Sequence, residues 1–168
     1  VTMMFKHVDK TVFLSEEKHP NTFDGELFPY LEKEAAGRDG KPMIVFLHLM
    51  GSHIRTSLRY PESFDPFHCR GNDISCCEKV QRSYDNTIAY TDSLLGKISD
   101  LVAAQSDPAF LLYFSDHGET VWKGEGAPRS PRSTDPSVYE IPLVLQMNPA
   151  YQKAFPETAQ NARKNRKK

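Results

Sequence analysis

The chain has 168 residues, 39% hydrophobic and 26% charged, with 21 Lys plus Arg against 22 Asp plus Glu and a formal net charge of −1. That length suits one domain with a real core, and the composition excludes a disordered protein or a coiled coil. The balanced charge gives no reason to expect a nucleic-acid partner. No run approaches the roughly 18 apolar residues of a membrane helix, and the first residues do not read as a signal peptide. The chain opens at Val1 and ends in Arg163-Lys164-Asn165-Arg166-Lys167-Lys168. Residues 1–168 therefore read as a single partial domain cut at both ends, with 157–168 a mobile basic tail.

Thr11-Val12-Phe13-Leu14 is a short β-like run. Asn21 or Thr22 can cap a helix whose apolar face is Leu27, Phe28, Leu31 and Ala35, closed by Gly37. Met43-Ile44-Val45-Phe46-Leu47-His48-Leu49 is continuous and apolar, as expected of a central strand covered on both faces. From Gly51 to about Cys77 the chain reads as a long irregular loop with Pro61, Pro66 and Gly71, a length uncommon without a function. A long helix is predicted from about Glu78 to Ala104, with Val80, Tyr84, Ile88, Thr91, Leu95, Ile98 and Val102 as its buried stripe. Phe110–Phe114 reads as a second buried strand. Ile141–Gln146 reads as a third, with Pro142 at its start or on an edge. The order is β-α-β-loop-α-β-loop-β. It predicts an α/β fold with a mainly parallel sheet flanked by helices, whose ligands bind beyond the carboxyl ends of the strands.

That rule directs attention to Ser115-Asp116-His117-Gly118-Glu119, just past the second of these strands. Adjacent Asp116 and His117 can both turn toward one ion where Gly118 lets the backbone bend, and a carboxylate oxygen with an imidazole nitrogen suits Zn²⁺. A capped turn with His117 on the surface is the plainer reading of the dipeptide alone. His48 and His53 lie near the end of the first long apolar run. His48, inside that run, reads as a hydrogen-bonded core residue; His53, in the loop after Gly51, is expected to face the same end of the sheet as Asp116 and His117. The cysteines are Cys69, Cys76 and Cys77. They form no pair of Cys-x-x-Cys motifs for a zinc ribbon, whereas a short loop closed by Cys69 with Cys76 or Cys77 fits and implies an oxidising compartment.

Taken together, His48-Leu49-Met50-Gly51-Ser52-His53, Arg59-Tyr60-Pro61-Glu62-Ser63-Phe64, Tyr84-Asp85-Asn86-Thr87-Ile88-Ala89-Tyr90-Thr91-Asp92, Tyr113-Phe114-Ser115-Asp116-His117-Gly118-Glu119 and Tyr139-Glu140-Ile141-Pro142 form an ordered set. The set resembles the lipopolysaccharide phosphoethanolamine transferases, in the sulfatase branch of the alkaline-phosphatase superfamily, over roughly Asp24 to Tyr151. The resemblance implies a partial alkaline-phosphatase/sulfatase-like fold in a membrane-anchored enzyme at the periplasmic face of the bacterial inner membrane, its anchor in a segment not present here. Phosphatidylethanolamine would be the donor and lipid A or core sugar the acceptor, with a phospho-threonine intermediate. Asp116 and His117 match two ligands of the principal zinc, and His53 matches a histidine that holds the transferred group or helps bind a second metal. The loop containing Cys69 and Cys77 looks like one of the family's disulfide loops.

The family's nucleophilic threonine and its glutamate ligand have no match in this chain. Gly124-Glu125-Gly126 stands where the family commonly has another histidine, and Glu125 reads as a solvated glutamate or an oxygen ligand. Arg129-Ser130-Pro131-Arg132-Ser133 is a loop able to meet lipid phosphates. Competing readings are a sulfatase or phosphodiesterase of the same superfamily, and a non-catalytic module binding phosphate or a lipid headgroup. Gly51-Ser52-His53 is not the Gly-x-Ser-x-Gly elbow of a serine hydrolase.

Overall fold

The computed structural model describes residues 8–14, 22–37, 40–53, 55–67, 76–119 and 136–166. Glu125 and the arginine-serine run 129–133 lie outside the described residues, as does Cys69; Cys77 stands at the start of a helix with its side chain outside the description. No pairing of these cysteines can therefore be read.

A one-turn 3-10 helix, Asp24–Leu27, leads directly into α1, Phe28–Ala36. Phe23 rather than Thr22 stands at the N-cap position, and the Glu26 carboxylate reaches back to accept the Phe23 N–H at 2.9 Å, half of a capping box; Asn21 lies outside the described residues. Gly37 ends α1, its N–H donating to the Lys33 carbonyl.

The predicted long helix is α2, Cys76–Ala103, and α1 with its leading 3-10 turn, both strands and the short helix Thr56–Leu58 pack on it. Its buried line is Thr87, Thr91, Leu94 and Ile98, one step off the expected stripe at two positions. Ile88 is exposed, because Asn86 and Thr87 turn inward to make hydrogen bonds that an isoleucine cannot. A hydrogen-bonded polar residue can displace an apolar one from a helix's inner face where the opposing surface is loop backbone.

Strands β1, Phe110–Phe114, and β2, Leu143–Met147, pair antiparallel, from Phe110↔Met147 to Phe114↔Leu143. The expected parallel sense does not hold for this pair, the one sheet among the described residues. Parallel neighbours need a crossover that returns the chain to the same end of the sheet. The described part of the β1–β2 connection carries only the turn Pro136–Val138, and the chain re-enters beside the end of β1. Gln146 Nε2 donates to the Ser99 carbonyl at 3.2 Å, so the face bearing Leu111, Tyr113 and Gln146 looks onto α2. Phe110, Leu112, Phe114, Leu143 and Leu145 form the other face and are exposed.

Residues 43–49, expected to be a buried central strand, are extended but pair with no strand among the described residues. Ile44 is 82% and Phe46 72% exposed. His48 is exposed as well, so the core role expected for it is corrected. Thr11–Leu14 likewise forms no strand. An apolar run reports what it would bury, while strand pairing requires a neighbour. Of the basic end read as a mobile tail over 157–168, the described part is mostly helical: α4, Pro156–Asn165, follows α3, Pro149–Ala154. Pro156 at its start, Glu157 in the first turn and Arg163 and Lys164 in the last suit a helix start and its dipole. Ala159 is buried beneath it, and Arg163 bonds Gln152 of α3.

Asn148 joins β2 to α3 and is 1% exposed. Its Oδ1 accepts from Ala109 N at 3.0 Å and Tyr151 N at 2.8 Å. Its Nδ2 donates to the carbonyls of Gln105 at 2.9 Å and Asp107 at 2.8 Å. One side chain thus caps α3 and ties the end of α2 to the start of β1. Asn148→Ala orphans four backbone groups, with a cost of about 1–3 kcal/mol for a fully buried one. We expect a total loss of about 3 kcal/mol, read as a lower urea midpoint with an unchanged slope.

Candidate active site

β1 ends at Phe114, and the chain turns at once. Ser115 Oγ donates to the His117 carbonyl at 2.6 Å, and Asp116 Oδ1 accepts the His117 N–H at 3.0 Å. Gly118 N–H then donates to the Val138 carbonyl at 2.7 Å, locking the turn against the segment that leads into β2. Glycine is required there by close approach: a Cβ on residue 118 would lie 2.0 Å from the Ser137 carbonyl oxygen.

Asp116 and His117 are brought together, with His117 Nε2 3.9 Å from Asp116 Oδ2. The other ring nitrogen, Nδ1, lies 2.8 Å from the Gly118 carbonyl. A carbonyl can only accept, so Nδ1 carries the hydrogen, and in the neutral ring Nε2 presents its lone pair beside the carboxylate. The Asp116 side chain is 88% exposed, leaving its oxygens open to an incoming cation. In donor chemistry this pair fits Zn²⁺ and would supply two of the roughly four ligands it takes. Among the described residues, no three of His, Cys, Asp or Glu gather into a metal cluster, so His53 is not drawn into one with this pair.

His53 is exposed and closes a tight turn, its N–H donating to the Met50 carbonyl at 3.2 Å. Gly51 takes φ +53°, a left-handed conformation that favours glycine. The turn is held from two sides. Asp24 Oδ1 accepts Met50 N–H at 2.9 Å and Oδ2 accepts Gly51 N–H at 2.8 Å. Ser52 Oγ and Thr87 Oγ1 on α2 are 2.7 Å apart, and the Thr87 hydroxyl also reaches the Tyr84 carbonyl at 2.6 Å. One hydroxyl has one hydrogen, so Thr87 gives its own to Tyr84 and takes that of Ser52. Asp24, Ser52 and Thr87 were not singled out as site residues from sequence. The alternation of Gly51 and Ser52 before His53 was the available signal for a fixed turn.

Further along, Asn86 holds the loop after Thr56–Leu58. Its Oδ1 accepts Phe67 N–H at 3.0 Å, and its Nδ2 donates to Asp65 at 2.5 Å and Tyr60 Oη at 3.3 Å. Thr56 is buried against Ser83, hydroxyl to hydroxyl at 2.7 Å.

The Tyr90 phenol is pushed up from 10.0 by burial; an N–H bond from Gly25 opposes this, and the charges of Asp24 and Glu26 add to it. Tyr113 on β1 is pushed up by burial and then by the charge of Asp24. Asp24 thus lies within electrostatic reach of β1 near its carboxyl end while bonding the turn that carries His53.

Two outcomes follow from this geometry. Gly118→Ala should cost about 1–3 kcal/mol through the clash with backbone at Ser137, read as a lower melting temperature. Raised phenol pKa values stabilise the fold fully below the ordinary tyrosine range. As pH climbs above it, the unfolded chain releases its protons first and stability falls until the folded phenols ionise too. Urea midpoints across that alkaline window should therefore drop less steeply for Tyr90→Phe than for the wild type.

Among the described residues, no helix is long and apolar enough to cross a membrane. The sequence matches the profile of the sulfatase family over residues 4–167. It is 34% identical over 143 residues to the Kdo(2)-lipid A phosphoethanolamine 7''-transferase of Escherichia coli (strain K12), taking in 77% of this chain and 25% of that protein. The C-terminal periplasmic domain of EcEptC from Escherichia coli superposes with a TM-score of 0.77 at 26% identity, over 92% of this chain and 45% of that one. The same domain in complex with Zn superposes with a TM-score of 0.71 at 23% identity, over 88% of this chain and 42% of that one. The chain spans about a quarter of the transferase it matches and under half of the solved domain. Since the profile runs through nearly all of its length, the chain belongs to the sulfatase family.

Proposed function

We propose that this chain is part of the periplasmic catalytic domain of a zinc-dependent phosphoethanolamine transferase. In this reading phosphoethanolamine passes from phosphatidylethanolamine to lipid A or lipopolysaccharide core sugar through a phospho-threonine intermediate, the threonine coming from outside residues 1–168. The parent protein acts at the periplasmic face of the bacterial inner membrane and is anchored by a segment outside this chain. The observation that carries the proposal is the Asp116–His117 pair beyond β1, its imidazole tautomer set by the Gly118 carbonyl. The match to a protein named for phosphoethanolamine transfer to Kdo(2)-lipid A supports the substrate class, and the zinc complex of the similar domain supports the metal.

Asp116 and His117 Nε2 would hold the ion. When bound, zinc supplies Lewis acidity to a phosphoryl oxygen and eases deprotonation of a hydroxyl nucleophile. His53 would donate a hydrogen bond to a phosphoryl oxygen or pass a proton to the departing group. Its fixed turn keeps the ring from having to be ordered at the moment of reaction. A second reading, hydrolysis of a sulfate ester or phosphodiester, is favoured by the sulfatase profile itself. A non-catalytic headgroup-binding role is the remaining alternative.

The test uses the full-length protein that carries this chain, measuring zinc content together with phosphoethanolamine transfer from phosphatidylethanolamine to lipopolysaccharide by mass spectrometry. His53→Ala, Asp116→Ala and His117→Ala should each lower transfer by about 10²-fold or more with unchanged circular dichroism. Asp116→Ala and His117→Ala should also lose zinc. Full transfer by Asp116→Ala would sink the metal assignment. Hydrolysis without transfer would select the second reading, and binding without turnover the third. Residues 1–168 alone should show little or no turnover.

A further inference from the structure

We infer that Asp24 is a positioning residue for His53, acting through the backbone of the turn that presents it. The inference rests on the role proposed for His53 and adds a residue to it. Both carboxylate oxygens are engaged by consecutive amides, Met50 at 2.9 Å and Gly51 at 2.8 Å. A bidentate grip on two successive N–H groups fixes orientation as well as position, and bonds to an ionised acceptor are stronger than neutral ones. The grip falls on the residue with φ +53°, the one place in the turn where the backbone most readily changes conformation.

Asp24 is itself well held. It opens the 3-10 helix before α1, and the adjacent Gly25 N–H bonds the Tyr90 hydroxyl on α2. A Cβ on Gly25 would stand 2.4 Å from that hydroxyl oxygen, so helix and tyrosine are in close register. The carboxylate is half-buried, which limits competition from water for the two amides. Ser52, next in sequence, is tied to Thr87 of α2. Successive residues 50, 51 and 52 are therefore anchored, and His53 is the first side chain beyond them that faces solvent. Releasing Met50 and Gly51 would leave Ser52 as the remaining side-chain anchor of the turn. Misplacement of a reacting group by about 1 Å can cost 10²-fold in rate.

The experiment has two arms. In the first, hydrogen exchange is followed by NMR on the 168-residue chain. Asp24→Ala should speed exchange of the Met50 and Gly51 amides by about tenfold or more, the scale of one charge-assisted hydrogen bond. Asp24→Asn keeps the shape but has only one accepting oxygen, so one of the two amides should stay protected; it serves as the readout if the alanine variant does not fold. In the second arm, steady-state transfer is measured in the full-length protein. Asp24→Ala should lower kcat by about 10²-fold with KM little changed, and Asp24→Glu should recover part of it. Combined with His53→Ala, it should add nothing to the loss that His53→Ala causes alone. Unchanged amide exchange, or a loss that adds in full to that of His53→Ala, overturns the inference while the function proposed for His53 stands. A fully active His53→Ala variant overturns the functional reading of His53 and, with it, the catalytic part of this inference.

Discussion

The inner face of α2 organises the described structure through hydrogen bonds more than through apolar contact. Thr87 is 1% and Asn86 2% exposed, whereas the buried hydrophobic residues among those described are only Leu94, Ile98, Val138 and Ala159. Apolar burial is non-directional and would tolerate a loop sliding over the helix. A buried amide does not, because leaving it unsatisfied costs about 1–3 kcal/mol. Asn86 therefore determines which part of the 60–67 loop meets α2, and Thr87 determines where Ser52 sits.

Asn148 does at the far end of α2 what Asn86 and Thr87 do near its start. By joining the end of the helix, the start of β1 and the first turn of α3, it sets the strand ladder relative to the helix. From there the chain of constraint runs along β1 to Phe114↔Leu143 and through the Gly118–Val138 bond to the site. Asp24 carries the second chain, from the start of α1 to the turn before His53. The two converge electrostatically, since the charge of Asp24 is felt by Tyr113 on β1.

What could be read from sequence was what depends on near neighbours. The extent of α2 follows from its three- and four-residue spacing, and β1 and β2 from short apolar runs bounded by turns. The place of Asp116 and His117 directly after β1 was legible because a polar pair following an apolar run is a local pattern. The rest needed distant partners. Residues 43–49 spell a buried strand, but burial depends on what lies against them. The antiparallel sense of β1 and β2 depends on how a long connection closes, and no apolar period encodes that. Ile88 fits the helical stripe better than Thr87 does until the loop backbone opposite is known. Asp24 carries no local signal of its bonds, because the amides it holds lie far along the chain.

The abrupt change of chemistry at the end of β1 explains why its tip can carry a site. Phe110-Leu111-Leu112-Tyr113-Phe114 has no polar alternation, so hydrogen bonding to β2 rather than side-chain polarity fixes its path. The last ladder pair is Phe114↔Leu143, and Ser115, Asp116 and His117 follow with their own short-range bonds. A pair of donors proposed to hold a metal would gain from standing just beyond rigid backbone, because each added residue of free chain widens the volume they explore. The Gly118 carbonyl then removes the last freedom, the choice of ring nitrogen, so that the Nε2 lone pair stands beside the carboxylate.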